Sequence, residues 1–235
     1  MQDEHSLLLN LKLKESAIFV KELVILRLTL PSDIETVQLL CYNFNMSVVL
    51  KLAQFATFET DRLFFRPFSY HDLEDFSEMV LNPRVTTFIH PGYQSRHEVA
   101  ELLVEAFIKE PLGKWAIVNR KTNKVIGAIR LENRDDLQKR VEMSYFLSEE
   151  FWHQGFMSES LRTLLALCFK EFEMRAIDII VHEENIASQA LAEACGFKIK
   201  ERFKGSDRYT HKMRRYTRLE LQGEDYQYEQ TSGNS

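Results

Sequence analysis

Phe151-Trp152-His153-Gln154-Gly155-Phe156-Met157-Ser158-Glu159 lies between an apolar, strand-like run and a long amphipathic segment. A strand, a short loop with one glycine and a helix start together make a site for an anion. The first helical turn carries backbone N–H groups without intrahelical partners, and the helix dipole places partial positive charge there. Gly155 lets a ligand approach the main chain closely and tolerates unusual backbone angles. A phosphate or pyrophosphate is the natural occupant.

The segments on either side of this loop have regular patterns. Upstream, Val141-Glu142-Met143-Ser144-Tyr145-Phe146-Leu147 reads as a strand. Downstream, a helix from about Phe156 turns Leu161, Leu164, Leu165, Cys168 and Phe172 inward. Ala176–Val181 is a buried-type strand, and Ser188–Cys195 a short helix stopped by Gly196. Earlier, Arg62–Pro67 is a strand ended by proline. Ser69 and Asp72 occupy helix-cap positions, and Leu73, Phe76, Met79 and Val80 have helical spacing. Ser95 caps a second helix predicted to run to about Lys109. Trp115–Val118 and Val125–Leu131 form a hairpin through Asn119–Lys124, and strands at Phe197–Phe203 and about Tyr209–Leu221 finish the pattern.

The ends of the chain are less regular. Residues 1–56 read as an N-terminal extension: Leu7–Leu30 is apolar but dotted with Lys and Glu, with no clear period. Met46 is the expected translation start, because the patterned domain, 57–222, begins shortly afterwards. Residues 223–235 read as a polar, disordered tail.

Hydrophobic residues make up 45% of the 235 and charged residues 28%, the balance of a globular protein with a sizeable core. The start lacks the basic region of a secretory signal, and no apolar run approaches the ~18 residues of a membrane helix. Three widely spaced cysteines, Cys41, Cys168 and Cys195, make no disulfide framework, so a reducing, cytoplasmic setting is expected. The net charge of −5 is uneven. Residues 198–218 hold nine Lys or Arg against Glu201 and Asp207, a local +7 that leaves −12 elsewhere. Phe197, Ile199 and Phe203 alternate with the basic residues, so the strip reads as the solvated face of a strand rather than a nucleic-acid surface. Neither nucleic-acid nor membrane binding is expected.

Other chemistries lack their residues. No G-x-x-x-x-G-K-[ST] or G-x-G-x-x-G run exists, and His182-Glu183-Glu184-Asn185-Ile186 lacks the second histidine of a zinc-protease helix. No close spacing of cysteines and histidines suggests a metal site.

Asp61-Arg62-Leu63-Phe64-Phe65-Arg66-Pro67, Val141–Leu147, Trp152–Glu159, Glu184-Asn185-Ile186-Ala187-Ser188 and Glu193-Ala194-Cys195-Gly196-Phe197 occur in an order that resembles the GCN5-related N-acetyltransferases. The resemblance spans about residues 60–221 and points to the branch acting on ribosomal-protein N-termini and related amines. It implies an α/β (α+β) fold: a mixed, mostly antiparallel sheet flanked by helices, with Val141–Leu147 and Ala176–Val181 splayed apart. Acetyl-CoA would lie in the gap, its pantetheine pairing with the backbone of Tyr145, Phe146 and Leu147. Its pyrophosphate would rest on the amides of His153, Gln154, Gly155, Phe156, Met157 and Ser158. Met157 and Ser144 stand where many relatives have smaller residues, and Met157 is expected to crowd the amide cradle.

The implied activity is direct acetyl transfer from acetyl-CoA to a primary amine, either a protein N-terminus or a small-molecule amine, by a monomer or homodimer and without a metal. At pH 7, deprotonating an α-amino group near ~7.8 costs about 1 kcal/mol, against about 4.6 for a lysine near ~10.4. A modest base therefore suffices for N-termini. Glu142 is the candidate base, with His182 as its fallback. Asn185 would bond the pantetheine or a water, and Ser188 would stand near the sulfur as a donor; both also suit helix capping. Tyr145 and Tyr209 are secondary candidates for the acid. The alternative is a non-catalytic module that binds acyl-CoA or docks on a ribosome or another partner.

Overall fold

The computed structural model describes residues 48–89, 92, 95–207 and 211–226. Runs rich in β-branched and aromatic residues form eight strands: β1 (Phe58–Glu59), β2 (Leu63–Arg66), β3 (Lys114–Asn119), β4 (Val125–Asp135), β5 (Arg140–Leu147), β6 (Ala176–His182), β7 (Lys198–Ser206) and β8 (Met213–Gln222). They make one sheet in the order β1-β2-β3-β4-β5-β6-β8-β7. The β5–β6 pair is parallel; the others are antiparallel.

Six α-helices join them among the described residues: α1 (Val48–Gln54), α2 (Leu73–Val80), α3 (Pro83–Thr86), α4 (Arg96–Leu103), α5 (Phe156–Lys170) and α6 (Ile186–Ala194). Helix α5 buries Leu161, Leu164, Leu165 and Cys168 against one sheet face, together with Leu52 of α1 and Ala192 of α6. Helices α2 and α4 cover the other face through Phe76, Met79, Val99 and Leu103. The middle strands are buried on both sides. Trp115 and Ile117 of β3 point into the first core, Ala116 and Val118 into the second.

Helix boundaries follow local chemistry. Asp72 accepts the backbone N–H of Ser69 (2.8 Å) and a two-pronged ion pair from Arg66 (2.7 Å each), which fixes the turn before α2. The short helix α3 was not foreseen; the Asn82 side chain accepts the Arg84 N–H (2.9 Å), with Pro83 at its first position. The helix capped by Ser95 reaches the predicted end but changes winding at Val104–Ile108. There a wide turn, with Lys109 N–H donating to the Val104 carbonyl (2.9 Å), sets Phe107 against Phe68 (4.7 Å).

The alternation predicted for Phe197–Phe203 is corrected. Phe197 is buried before the strand begins, but Ile199 is 41% exposed and no residue of β7 is fully buried. At an edge of the sheet, β7 is exposed on both faces among the described residues, so its Lys and Arg side chains lie in water on both sides.

Residues 1–47, including Met46, Cys41 and most of the expected extension, lie outside the described residues, as do Arg208 and Tyr209. From residue 48 the chain packs on the core: Leu52 is buried, and Trp115 Nε1–H donates to the Phe55 carbonyl (3.0 Å). The start of the expected tail is also ordered. Gly223 N–H donates to the Arg175 carbonyl (2.8 Å), and Tyr226 packs on Phe169 with ring centres 4.8 Å apart. Residues 227–235 lie outside the described part. Among the described residues no helix is long and apolar enough to cross a membrane.

Candidate active site

The parallel pairing of β5 with β6 covers only Arg140↔Ala176, Val141↔Ile177 and Glu142↔Asp178. From Met143 to Leu147, β5 has a strand partner only in β4, so the backbone on its other edge faces a V-shaped opening. Arg140 closes the point of the V. Its guanidinium donates to both Asp178 oxygens (2.8 and 3.0 Å) and to Glu220 of β8.

A cleft of about 770 Å³ opens from this V. It brings together nearly every residue singled out from the sequence: Glu142, Asn185 and Ser188; Tyr145, Phe146 and Leu147; His153, Gly155, Phe156, Met157 and Ser158. Gln154 is outside the lining. Its side chain turns away to donate to the Glu150 carbonyl (2.8 Å).

The glycine loop and helix start expected from the sequence are present. Gly155 sits just before α5 in the left-handed region (φ +77°), and His153 shares that region (φ +58°). The first intrahelical bond runs from Glu159 N–H to the Gly155 carbonyl (3.0 Å), so the N–H groups of Phe156, Met157 and Ser158 precede the ladder. Met157 does not simply crowd the cradle. Its side chain is buried in the core (8% exposed) while still bordering the cleft.

This loop is braced by Arg62, which the sequence places in a strand and in the run Asp61–Pro67 that carries the resemblance. Arg62, just before β2, donates through Nε to Glu159 Oε2 (2.6 Å) and through Nη1 to the Gln154 carbonyl (3.0 Å). Its guanidinium also lies 4.5 Å from the centre of the Phe156 ring. Thr60 supports Glu159 from the same side. The Asp61-Arg62-Leu63 run carried the signal, but sequence spacing could not show that Arg62 meets a loop more than ninety residues away.

Beyond the V the sheet face is polar. Glu142 borders the cleft and accepts from Asn133 Nδ2–H (2.9 Å); Glu132 stands directly across from it on β4. Ser144 accepts from Arg130 Nε–H and donates to Glu132 (2.8 Å each), and Arg130 lies 5.5 Å from the centre of the Phe107 ring. The small-residue departure at Ser144 is thus used to tie Arg130 to Glu132.

Asn185 caps α6: its side chain accepts the Ser188 N–H (3.1 Å). Tyr145 O–H reaches from β5 to the Ser188 carbonyl (3.4 Å), bridging the opening to α6. Burial pushes the Tyr145 phenol up to about 12, so it stays protonated at neutral pH. Burial likewise raises the Cys168 thiol, which leaves it inert, as its place on the apolar face of α5 suggested. Among the described residues no group of three or more His, Cys, Asp or Glu side chains is arranged to hold a metal ion.

The far wall holds His182, Asp207, Tyr216 and Phe88. Of these only His182 had been weighed as a base.

Comparison with known proteins supports the same reading. The family profile described as "Acetyltransferase (GNAT) domain" matches residues 62–198. The uncharacterized N-acetyltransferase YoaA of Bacillus subtilis is 28% identical over 148 residues, covering 61% of this chain and 84% of that protein. Among solved structures, a spermidine N-acetyltransferase from Vibrio cholerae, in complex with CoA and spermine, superposes with a TM-score of 0.60. It is 18% identical, and the match covers 71% of this chain and 99% of that one. A ribosomal-protein-S5-alanine acetyltransferase from Vibrio fischeri gives 0.56 at 15% identity, covering 73% and 98%. At these identities the superpositions show the fold alone, while the profile spans more than half of the chain. The chain therefore belongs to the GNAT acetyltransferases and is an N-acetyltransferase that uses an acyl-CoA donor.

Proposed function

We propose that the protein transfers the acetyl group of acetyl-CoA to the α-amino group of a protein N-terminus, with small primary amines as a second acceptor class. The observation that carries this reading is the cleft that begins where β5–β6 pairing stops, with the α5 N-terminus at one end and Glu142 on its polar face. Bound acetyl-CoA supplies an acetyl thioester activated for attack by an amine.

The chain's own groups divide the remaining work. The N–H groups of His153 to Ser158 hold the pyrophosphate, where the helix dipole favours negative charge. The backbone of Tyr145, Phe146 and Leu147 pairs with the pantetheine. Glu142, steadied by Asn133, draws the ammonium to the sheet face and takes its proton directly or through a water. Asn185 shapes the start of α6 and bonds the pantetheine with its remaining amide capacity. Ser188 stands near the sulfur as a donor, and Tyr145 O–H, protonated at neutral pH, is a second donor to the departing thiolate. No metal takes part. The thiols of Cys168 and Cys195 suit a reducing, cytoplasmic setting.

The related fold of an enzyme named for ribosomal-protein S5 alanine supports the N-terminal acceptor, and that of the spermidine enzyme supports the small amine. The test is to incubate the full chain with acetyl-CoA and a panel of an alanine-led peptide, a serine-led peptide and spermidine, following free thiol. Amine-dependent thiol release with acetylated product is expected. CoA binding without release in any case would favour a sensing module instead.

A further inference from the structure

His182 ends β6 on the sheet face shared with Asp178 and Ile180, and it forms the far wall of the cleft. The ring of its cross-strand partner Tyr216 lies tilted with its centre 4.6 Å away, and Phe88, beyond α3, lies 5.6 Å away. Asp207 Oδ2 stands 3.7 Å from His182 Nε2, with the two side chains only 13% and 16% exposed. A nearly buried imidazole beside a nearly buried carboxylate, opening on a cleft that also holds Glu142 and Ser144, is more than a core histidine requires.

We propose that His182, oriented by Asp207, is a second proton acceptor for the acceptor amine, and that it serves amines entering from the open end of the V. This rests on the transferase reading above. Glu142 is level with Asp178, and His182 lies four residues further along β6, about 13 Å at ~3.3 Å per residue. An amine arriving from the open side meets the imidazole before it meets the carboxylate. One ammonium N–H bond breaks as an imidazole N–H bond forms, leaving a neutral amine. Its lone pair makes the C–N bond as the C–S bond breaks; the departing CoA thiolate takes the Tyr145 O–H proton, the phenolate takes the second proton from the acylated nitrogen to leave a neutral amide, and the imidazolium returns its proton to water.

The surroundings set the charge state. Burial pushes His182 below its ordinary value; Asp207 pulls it up, Arg214 of β8 pushes it down and Glu184 pulls it up, for a net lowering. Other charges facing the cleft are engaged elsewhere. Arg84 of α3 pairs with Glu149, and Arg130 with Glu132. His182 is therefore neutral at pH 7 and ready to accept.

The test is the pH profile of kcat/KM for the full chain with acetyl-CoA and whichever of an alanine-led hexapeptide and spermidine turns over faster. Wild type should lose activity on acidification through an apparent pKa below 6.5. H182Q should fall by about a hundredfold or more and lose that acid limb. D207N should keep the limb but move it to lower pH, because the carboxylate that raises the imidazole pKa is gone. NMR titration of the His182 ring in free wild type and D207N reads the same shift without turnover, and it decides the matter should H182Q fail to fold. An H182Q enzyme within about threefold of wild type with its limb intact, or a ring pKa unmoved in D207N, overturns the proposal. No turnover by wild type with any amine would instead overturn the transferase reading itself.

Discussion

Glu142 and Asp178 are the last residues that β5 and β6 pair in register. One residue further along, β5 keeps only its β4 partner, and the opening that leads to the α5 N-terminus begins. The site is therefore a consequence of topology: the sheet's one parallel pair is held shut at one end and open at the other.

Arg140 holds the shut end, bonding Asp178 and Glu220 from two other strands. Burial pushes the Glu220 carboxyl up, but hydrogen bonds from Lys200, Arg140 and Gln222 outweigh this and hold it at about 2, against an ordinary 4.5. A carboxyl with a lowered folded-state pKa stabilises the fold above its unfolded pKa and loses that contribution as pH falls through the folded value. Wild type should thus lose stability progressively between about pH 4.5 and 2, and Glu220→Gln should flatten that segment. Arg140→Met leaves the largely buried Asp178 carboxylate without its guanidinium, while Glu220 keeps Lys200 and Gln222, and should cost about 1–3 kcal/mol at pH 7. Urea unfolding at a series of pH values checks both.

Arg62 and Glu159 brace the anion loop from outside the cleft. Their ion pair is half exposed at Arg62, so its direct worth to stability is only about 0.2–1 kcal/mol. The larger effect of Arg62→Ala should fall on the loop that the guanidinium holds through the Gln154 carbonyl. KM for acetyl-CoA should rise several-fold while kcat stays within about twofold, the signature of lost uniform binding. Steady-state kinetics read this split, and Arg62→Lys should recover part of it through Glu159 alone.

Two glycines should respond differently to alanine. At Gly155 a Cβ would meet only Arg62 Nη2 at 3.5 Å, an ordinary contact, so the cost is the left-handed backbone, about 1–2 kcal/mol, with weaker CoA binding. At Gly127 a Cβ would stand 2.6 Å from the Phe146 carbonyl oxygen and 2.9 Å from Leu147 Cδ1. Backbone cannot yield there without opening the β4–β5 pair beside the cleft. Gly127→Ala should therefore be the more destabilising, which thermal unfolding of the two variants compares directly.

The choice of acceptor follows from proton cost. With a modest base, acetylation of an α-amino group should exceed that of a lysine ε-amino group, because the two deprotonations differ by about 3.5 kcal/mol at pH 7. Mass spectrometry of a peptide carrying both amines should find the N-terminus modified first. Glu142→Gln should slow that reaction, and Glu142→Gln combined with H182Q should slow it further than either change alone.

Much of this arrangement was legible in the chain. The glycine before an amphipathic run announced the α5 N-terminus, and apolar runs announced the central strands, because those signals are local. Three features escaped for physical reasons. Ile199 of β7 alternates like a core residue but lies on an edge strand and is 41% exposed, and periodicity does not reveal what covers a face. The wide turn at Val104–Ile108 shares its residue types with an ordinary helix. Asp207 reaches the site, and Arg62 reaches the Gln154 carbonyl, through contacts between distant segments that spacing along the chain does not encode.

The central claim is that acetyl-CoA occupies the V between β5 and β6 with its pyrophosphate on the α5 N-terminus. Backbone amide NMR of the labelled full chain, titrated with CoA, tests it most directly. Saturable shifts concentrated at Gly155, Phe156, Met157 and Ser158 and at Tyr145 to Leu147, weakened in Gly155→Ala, are the predicted result. Saturable binding that left these amides unmoved, or no binding at millimolar CoA, would contradict the account.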